Sequence, residues 1–267
     1  MGKQLLSHFS NSFGPVIGQK EIKYKKRFLC NRIHAILLSL QKEEGIHFMK
    51  ISVNGVELNY EVIGSGDPLI LVHGNSEDHT IFTEAAEVLK DHYTCYLVDT
   101  RSHGKSSKVK RLHYRDMARD YMEFIKALDL KNVTYFGFSD GGILGLLIGM
   151  DSNLVDTLIV SGANTYPGAV SDRMVKIMKL IWFVTRSDKF RLMLNEPDIR
   201  AEDLQKIRCK TFVLAGSEDA VKRENTDFIA ANIRGSTQLI LEGETHTSHI
   251  VHSTKIAQII LELTGKK

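Results

Sequence analysis

Ser139 stands in the segment Val133-Thr-Tyr-Phe-Gly137-Phe-Ser139-Asp-Gly141-Gly142, a G-x-S-x-G pattern joining an apolar strand-like run to a helix-like one. In such a turn the central residue is held in a strained backbone conformation. Gly137 and Gly141 are needed there because side chains would collide with the neighbouring strand and helix. The Ser139 hydroxyl then projects above the sheet. The helix that starts at Asp140 aims its unsatisfied N–H groups and positive dipole end at the same spot, where a tetrahedral oxyanion would form. The chemistry this suits is nucleophilic attack by a serine. Taken alone, the pattern also reads as a helix N-cap in a tight glycine turn. A free hydroxyl is essentially un-ionised at neutral pH, so a nucleophilic serine needs a base within reach. Histidine is fitted to that task, and the C-terminal segment holds His246, His249 and His252.

These residues require a scaffold that brings distant parts of the chain together. Met49-Lys-Ile-Ser-Val and Val56-Glu-Leu-Asn-Tyr-Glu-Val alternate apolar and polar residues around Asn54-Gly55, a strong hairpin signal. Leu69-Ile-Leu-Val72 is apolar throughout, as expected of a strand covered on both faces. Strand and helix patterns then alternate: a helix near 80–90, a strand at 95–98, a helix near 114–128, a strand at 133–136, a helix from about 140 to 150 and a strand at 158–160. Beyond an interlude come a strand at 211–214, a helix near 222–232, a strand at 237–241 and a last helix to 263. The pattern predicts an α/β fold with a mostly parallel sheet, an antiparallel N-terminal hairpin and helices on both faces.

Residues 163–208 interrupt the alternation. Met174, Ile177, Met178, Ile181 and Trp182 fall at i, i+3, i+4, i+7 and i+8, an apolar stripe on one helical face. That face packs on the domain, forms a small helical cap over a site at the carboxyl ends of the strands, or does both. As a cap it would offer Met174, Met178 and Trp182 to a substrate.

At this point the sequence resembles the α/β-hydrolase superfamily, from about Met49 to the C-terminus. His73-Gly74-Asn75 looks like the family's oxyanion loop, and Asp99-Thr-Arg-Ser-His-Gly104-Lys-Ser106 looks like its D-x-R-G-x-G-x-S segment, with Ser102 where a glycine usually sits. Ala215-Gly-Ser-Glu-Asp219 closes a strand where the family places its triad acid. Glu242-Gly-Glu-Thr-His246 follows the last strand where it places its histidine. The resemblance implies Ser139 as nucleophile, His246 as base and Asp219 as the carboxylate that fixes the imidazole tautomer, in the chain order of this fold. The backbone N–H groups of Asn75 and Asp140 would form the oxyanion hole. His249 is the second choice for the base, and Glu218 for the acid. His73 is expected to hold the oxyanion loop, while Asp99 and Arg101 fasten their own loop. The Asp140 carboxylate either faces the cavity, disfavouring anionic substrates and attracting a cationic amine, or points outward and favours the helix N-terminus. The outward direction is taken here.

The chain has 267 residues, 43% apolar and 25% charged, with three cysteines and four prolines. These values exclude collagen-like, disordered, disulfide-scaffold and membrane-spanning classes. Cys30, Cys95 and Cys209 are too few and too scattered for a disulfide framework and point to a reducing, cytoplasmic compartment. The net charge of +3 is unevenly spread: residues 1–48 hold eight Lys/Arg against three Glu, net +5, which leaves −2 for the other 219. The basic cluster Lys20 to Arg27 belongs to this extension, read as dispensable for catalysis. It is either a surface or membrane-proximal attachment segment or an upstream stretch ahead of an internal start at Met49. The acidic balance of residues 49–267 argues against a nucleic-acid partner. His73, His79, His92 and His103 lack metal-ligand spacing, so neither metal nor cofactor is expected. The resulting expectation is a serine hydrolase that cleaves a small carboxylic ester or related acyl substrate through an acyl-enzyme. Amide, thioester or carbon–carbon bond hydrolysis, and a non-hydrolytic sensing protein on the same fold, stand as alternatives.

Overall fold

The computed structural model describes residues 47–266. The basic extension therefore lies outside the described residues, save for its last two positions, which open the first strand.

Among the described residues, eight strands form one sheet: β1 (His47–Val53), β2 (Val56–Ile63), β3 (Asp67–Val72), β4 (Tyr93–Val98), β5 (Thr134–Phe138), β6 (Thr157–Ser161), β7 (Lys210–Glu218) and β8 (Thr237–Thr245). Their spatial order is β1-β2-β4-β3-β5-β6-β7-β8. The pairs β1/β2 and β2/β4 are antiparallel and all others are parallel. The expected sheet is thus present. The hairpin turns at Asn54 and Gly55, at φ 44° and 79°, the left-handed pair that a two-residue turn of this type demands.

Side-chain alternation divides the core between the two faces. Leu69, Leu71, Phe136 and Phe138 pack with Ala85 and Leu89 of α1 (Thr83–Leu89) and with Ile256 and Ile260 of α8 (Lys255–Thr264). Ile70, Val72 and Tyr135 turn the other way. They join Tyr121 and Phe124 of α2 (Tyr114–Ala127), Ile143 and Leu147 of α3 (Asp140–Asp151) and Ile229 of α7 (Arg223–Asn232). Each such buried side chain contributes about 1.5–3 kcal/mol by removal from water, which is why strands β3 and β5 read as unbroken apolar runs. Burial also pushes the Cys95 thiol up to about 12. Cys95 and the half-buried Cys209 are free thiols.

Residues 163–208 contain no strand. They hold α4 (Asp172–Thr185), α5 (Asp188–Asn195) and the short α6 (Ala201–Leu204). The expected α4 stripe is only partly covered: Met178 is buried, while Ile177 is 41% exposed.

The carboxyl ends of the parallel strands point to one edge, where β3, β4, β5, β7 and β8 release the segments that begin at His73, Asp99, Ser139, Asp219 and His246.

Candidate active site

Ser139 sits between β5 and α3 at φ 53°, ψ −115°, outside the regions that side-chain-bearing residues normally occupy. The surrounding backbone holds it there. Its N–H donates to the Ser161 carbonyl at the end of β6, 2.8 Å away, and its carbonyl accepts the first α3 hydrogen bond, from Ile143. A Cβ on Gly137 would lie 2.2 Å from the Gly141 carbonyl oxygen. Strand and helix therefore touch where the turn is sharpest.

The Oγ of Ser139 lies 3.1 Å from His246 Nε2, and His246 Nδ1 lies 2.7 Å from Asp219 Oδ1. Ser139, His246 and Asp219, separated by up to 107 positions, are thus brought into one chain of contacts. Asp219 also accepts the Val221 N–H at 2.8 Å. Burial raises its pKa, but the His246 contact and the Val221 N–H outweigh burial, so the carboxyl stays below the usual range and ionised. His249 does not meet Ser139. It is fully buried, with Nε2 3.0 Å from Ser161 Oγ. His252 is exposed beside Glu84, and Glu218 is exposed on β7.

The loop after β3 comes up against the serine: a Cβ on Gly74 would lie 3.0 Å from Ser139 Cβ. Asn75 and Asp140 both border the same cavity as Ser139. His73 anchors this loop. Its Nδ1–H donates to the Gly74 carbonyl at 2.7 Å, and its Nε2 accepts the Thr100 N–H at 3.1 Å. Burial holds the ring neutral, with a pKa of about 4. Asp99 is tied by His79, Asn59 and the Lys105 N–H. Burial opposes its ionisation, yet these donors pull its pKa to about 2. Ser102, at φ 65°, takes up the left-handed backbone that explains the glycine usual at this place. Arg101 departs from the expected local role, because its guanidinium reaches α2 and grips Asp120 with both Nε and Nη2. Both side chains are buried. Asp120→Ala is expected to destabilise the fold by about 3–5 kcal/mol, since it strands a buried charge; the midpoint of urea unfolding measures this.

The Asp140 carboxylate points inward, contrary to the expectation. It is 4% exposed and accepts from Tyr114 Oη at 2.7 Å and Asn75 Nδ2 at 2.9 Å. Those two donors, on α2 and on the β3 loop, determine its direction, and neither is adjacent in sequence. Burial lifts its pKa to about 6, against the pull of both hydrogen bonds. Two further carboxylates border the cavity, and neither was anticipated from sequence. Glu77 accepts the Gly74 N–H at 2.9 Å, and burial raises its pKa. Glu196 accepts the Tyr114 N–H. The one local signal in the sequence is the acidic pair Glu77-Asp78, directly after the loop at Gly74 and Asn75.

The cavity measures about 160 Å³ and is bordered by Met174, Met178 and Met193 from the helical insertion. Trp182 does not border it, contrary to the expectation. It lines a separate groove with Leu180, Phe183 and Leu194. Eight residues of helix separate Met174 from Trp182, about 12 Å along the axis, so one apolar stripe serves two surfaces.

Known proteins share this fold. Residues 67–181 match the family described as the alpha/beta hydrolase fold. Serine hydrolase BPHL of Mus musculus is 26% identical over 247 residues, covering 79% of this chain and 84% of that protein. A putative esterase/lipase of Haemophilus influenzae is 25% identical over 223 residues, covering 68% and 77%. Among solved structures, bromoperoxidase from Bacillus anthracis superposes with a TM-score of 0.73 at 20% identity, covering 82% of this chain and all of the other. The esterase EaEST from Exiguobacterium antarcticum gives 0.70 at 23%, with the same coverage. These likenesses establish the fold.

Proposed function

We propose that this chain, which has the fold of the α/β-hydrolase superfamily, is a serine hydrolase cleaving a small carboxylic ester through an acyl-enzyme. The observation that carries this reading is the contact chain from Ser139 Oγ through His246 to Asp219. His246 Nε2 takes the hydroxyl proton as Oγ attacks the ester carbonyl, and Asp219 stabilises the imidazolium that forms. The oxyanion is received by the N–H groups of Asn75 and Asp140, each worth about 3–4 kcal/mol in such sites. His246 then returns the proton to the departing alkoxide, leaving the acyl group on Oγ. Water, deprotonated by the same imidazole, attacks the acyl-enzyme, releasing the acid and restoring Ser139. The relatives called serine hydrolase and esterase/lipase support this class of reaction.

The cavity limits the substrate by size and charge. A volume of about 160 Å³ suits a small acyl or alcohol group. Glu77, Asp140 and Glu196 border it, which disfavours an anionic substrate and suits a cationic amine. Labelling by a fluorophosphonate probe and turnover of short p-nitrophenyl esters, both lost in Ser139→Ala, test the reaction class; an unlabelled wild-type protein without turnover would overturn it.

The charge argument makes a separate prediction. An amine-bearing ester is expected to exceed its neutral isostere in kcat/KM, and Asp140→Asn should shrink that ratio by about ten- to a hundredfold, the range for hydrogen bonds to charged groups. The sign with pH follows from the raised pKa of about 6: Asp140 is ionised above it, so the preference is present at neutral pH and fades as pH falls through 6. Comparing two esters at each pH cancels the titration of the base they share.

A further inference from the structure

Every large apolar side chain that is markedly exposed among the described residues lies between Tyr166 and Val184. Most are on α4. Met178 is buried toward the cavity, while the outer side of the helix presents Ile177, Leu180, Phe183 and Val184, between 41% and 72% exposed. Arg173, Lys176, Lys179 and Arg186 lie among them, all exposed, and none forms an ion pair with a described residue. Arg186 stacks over Trp182 and Phe183, 5.0 and 5.1 Å from their ring centroids. The only acidic residue of the helix, Asp172, is paired with Lys222. The outer face is therefore apolar and cationic at once.

We propose that α4 is an interfacial helix that docks this protein on an anionic phospholipid surface. Ile177, Leu180, Phe183 and Val184 enter at the level of the headgroups, and the four cations meet lipid phosphate and carboxylate groups. This is the composition of helices that lie in the interface plane. At 14 residues α4 is shorter than the roughly 20 needed to span a bilayer, and no described helix is long and apolar enough to cross a membrane. A second copy of the chain fits this face poorly. A symmetric contact would set the same cations against themselves, and a helix face about 21 Å by 10 Å is well below the roughly 800 Å² per partner of a stable interface. Met174 belongs both to this surface and to the cavity at Ser139, so docking would turn the mouth of the site toward the lipid. The docking does not depend on the hydrolytic reading and is tested without using activity.

Trp182 is the only tryptophan of the chain, so tryptophan emission, excited selectively over tyrosine, reports on α4 alone. Full-length protein is titrated with phosphatidylcholine–phosphatidylserine vesicles carrying a trace of dansyl lipid, and with phosphatidylcholine vesicles. The expected result is a blue shift of Trp182 emission and energy transfer to dansyl on the anionic vesicles, reversed by salt. Lys176→Gln with Lys179→Gln should weaken binding by about fivefold per charge, and Leu180→Ser with Phe183→Ser by at least about tenfold. All four positions are exposed, so thermal unfolding should be unchanged. The proposal is overturned by absence of binding, by both double variants binding like the parent, or by vesicle binding that leaves Trp182 silent, which would place attachment elsewhere in the chain. Sedimentation showing self-association that shifts Trp182 emission without lipid would equally overturn it, in favour of a contact between copies.

Discussion

Ser139→Ala is expected to lower kcat on an activated ester by about a hundred-thousand- to a million-fold, and His246→Ala should cost nearly as much. The double variant should be scarcely worse than either one. The reason lies in the 3.1 Å contact between Oγ and Nε2: without the base the hydroxyl is not ionised, and without the hydroxyl the base has no nucleophile to activate. Strictly additive losses would mean that the two residues do not act together, and the proposed acyl-enzyme route would fail. Residual turnover in the double variant should still exceed the solution rate, because the Asn75 and Asp140 N–H groups remain in place.

Gly141→Ala is expected to abolish cooperative folding. A Cβ there would stand 2.2 Å from the Val72 carbonyl oxygen and 2.9 Å from that of His73. Both are backbone atoms, and Val72 belongs to β3, which is paired on both sides, by β4 and by β5. Neither rotamer change nor small shifts relieve such an overlap, so the cost should exceed the about 1–3 kcal/mol of ordinary overpacking and consume most of a stability of about 5–15 kcal/mol. Gly235→Ala is the control. It has φ +73° and open space around its Cβ position, so only the left-handed backbone is penalised, by about 1–2 kcal/mol. Denaturant midpoints and near-ultraviolet circular dichroism separate the two cases. A folded Gly141→Ala protein with the parent's midpoint would show that the β3–α3 contact is looser than its geometry.

Close backbone approach at this turn explains why part of the site is legible in sequence. The turn at Ser139 needs Gly137 because β5 touches α3 there, and Gly141 because α3 also touches β3. Both glycines lie within two residues of Ser139, so the requirement is written locally. The Asn54-Gly55 hairpin is legible for the same reason, since two left-handed residues suffice to make it. The unbroken apolar runs of β3 and β5 announce a sheet covered on both faces, which leaves little choice of architecture.

The rest depends on residues that meet only in three dimensions. The run Glu242-Gly-Glu-Thr reads as a loop, but β8 continues through it, and Thr245 pairs with Glu218 of β7. That pairing sets His246 beside Asp219, and it buries His249, three residues on, against Ser161 instead. The inward turn of the Asp140 carboxylate follows from Tyr114 and Asn75, 26 and 65 positions away. The carboxylates of Glu77 and Glu196 join it by the same folding. Trp182 shares a helical stripe with Met174 and Met178 yet leaves the cavity, because the site is shorter than the helix above it. The sequence by itself thus determined the sheet, the hairpin and the strained serine turn, each dictated by backbone sterics and burial over a few residues. Tertiary structure alone decided which histidine stands beside the serine, the charge of the cavity and the exposed face of its cap, because those depend on side chains from separate strands and helices meeting at a distance.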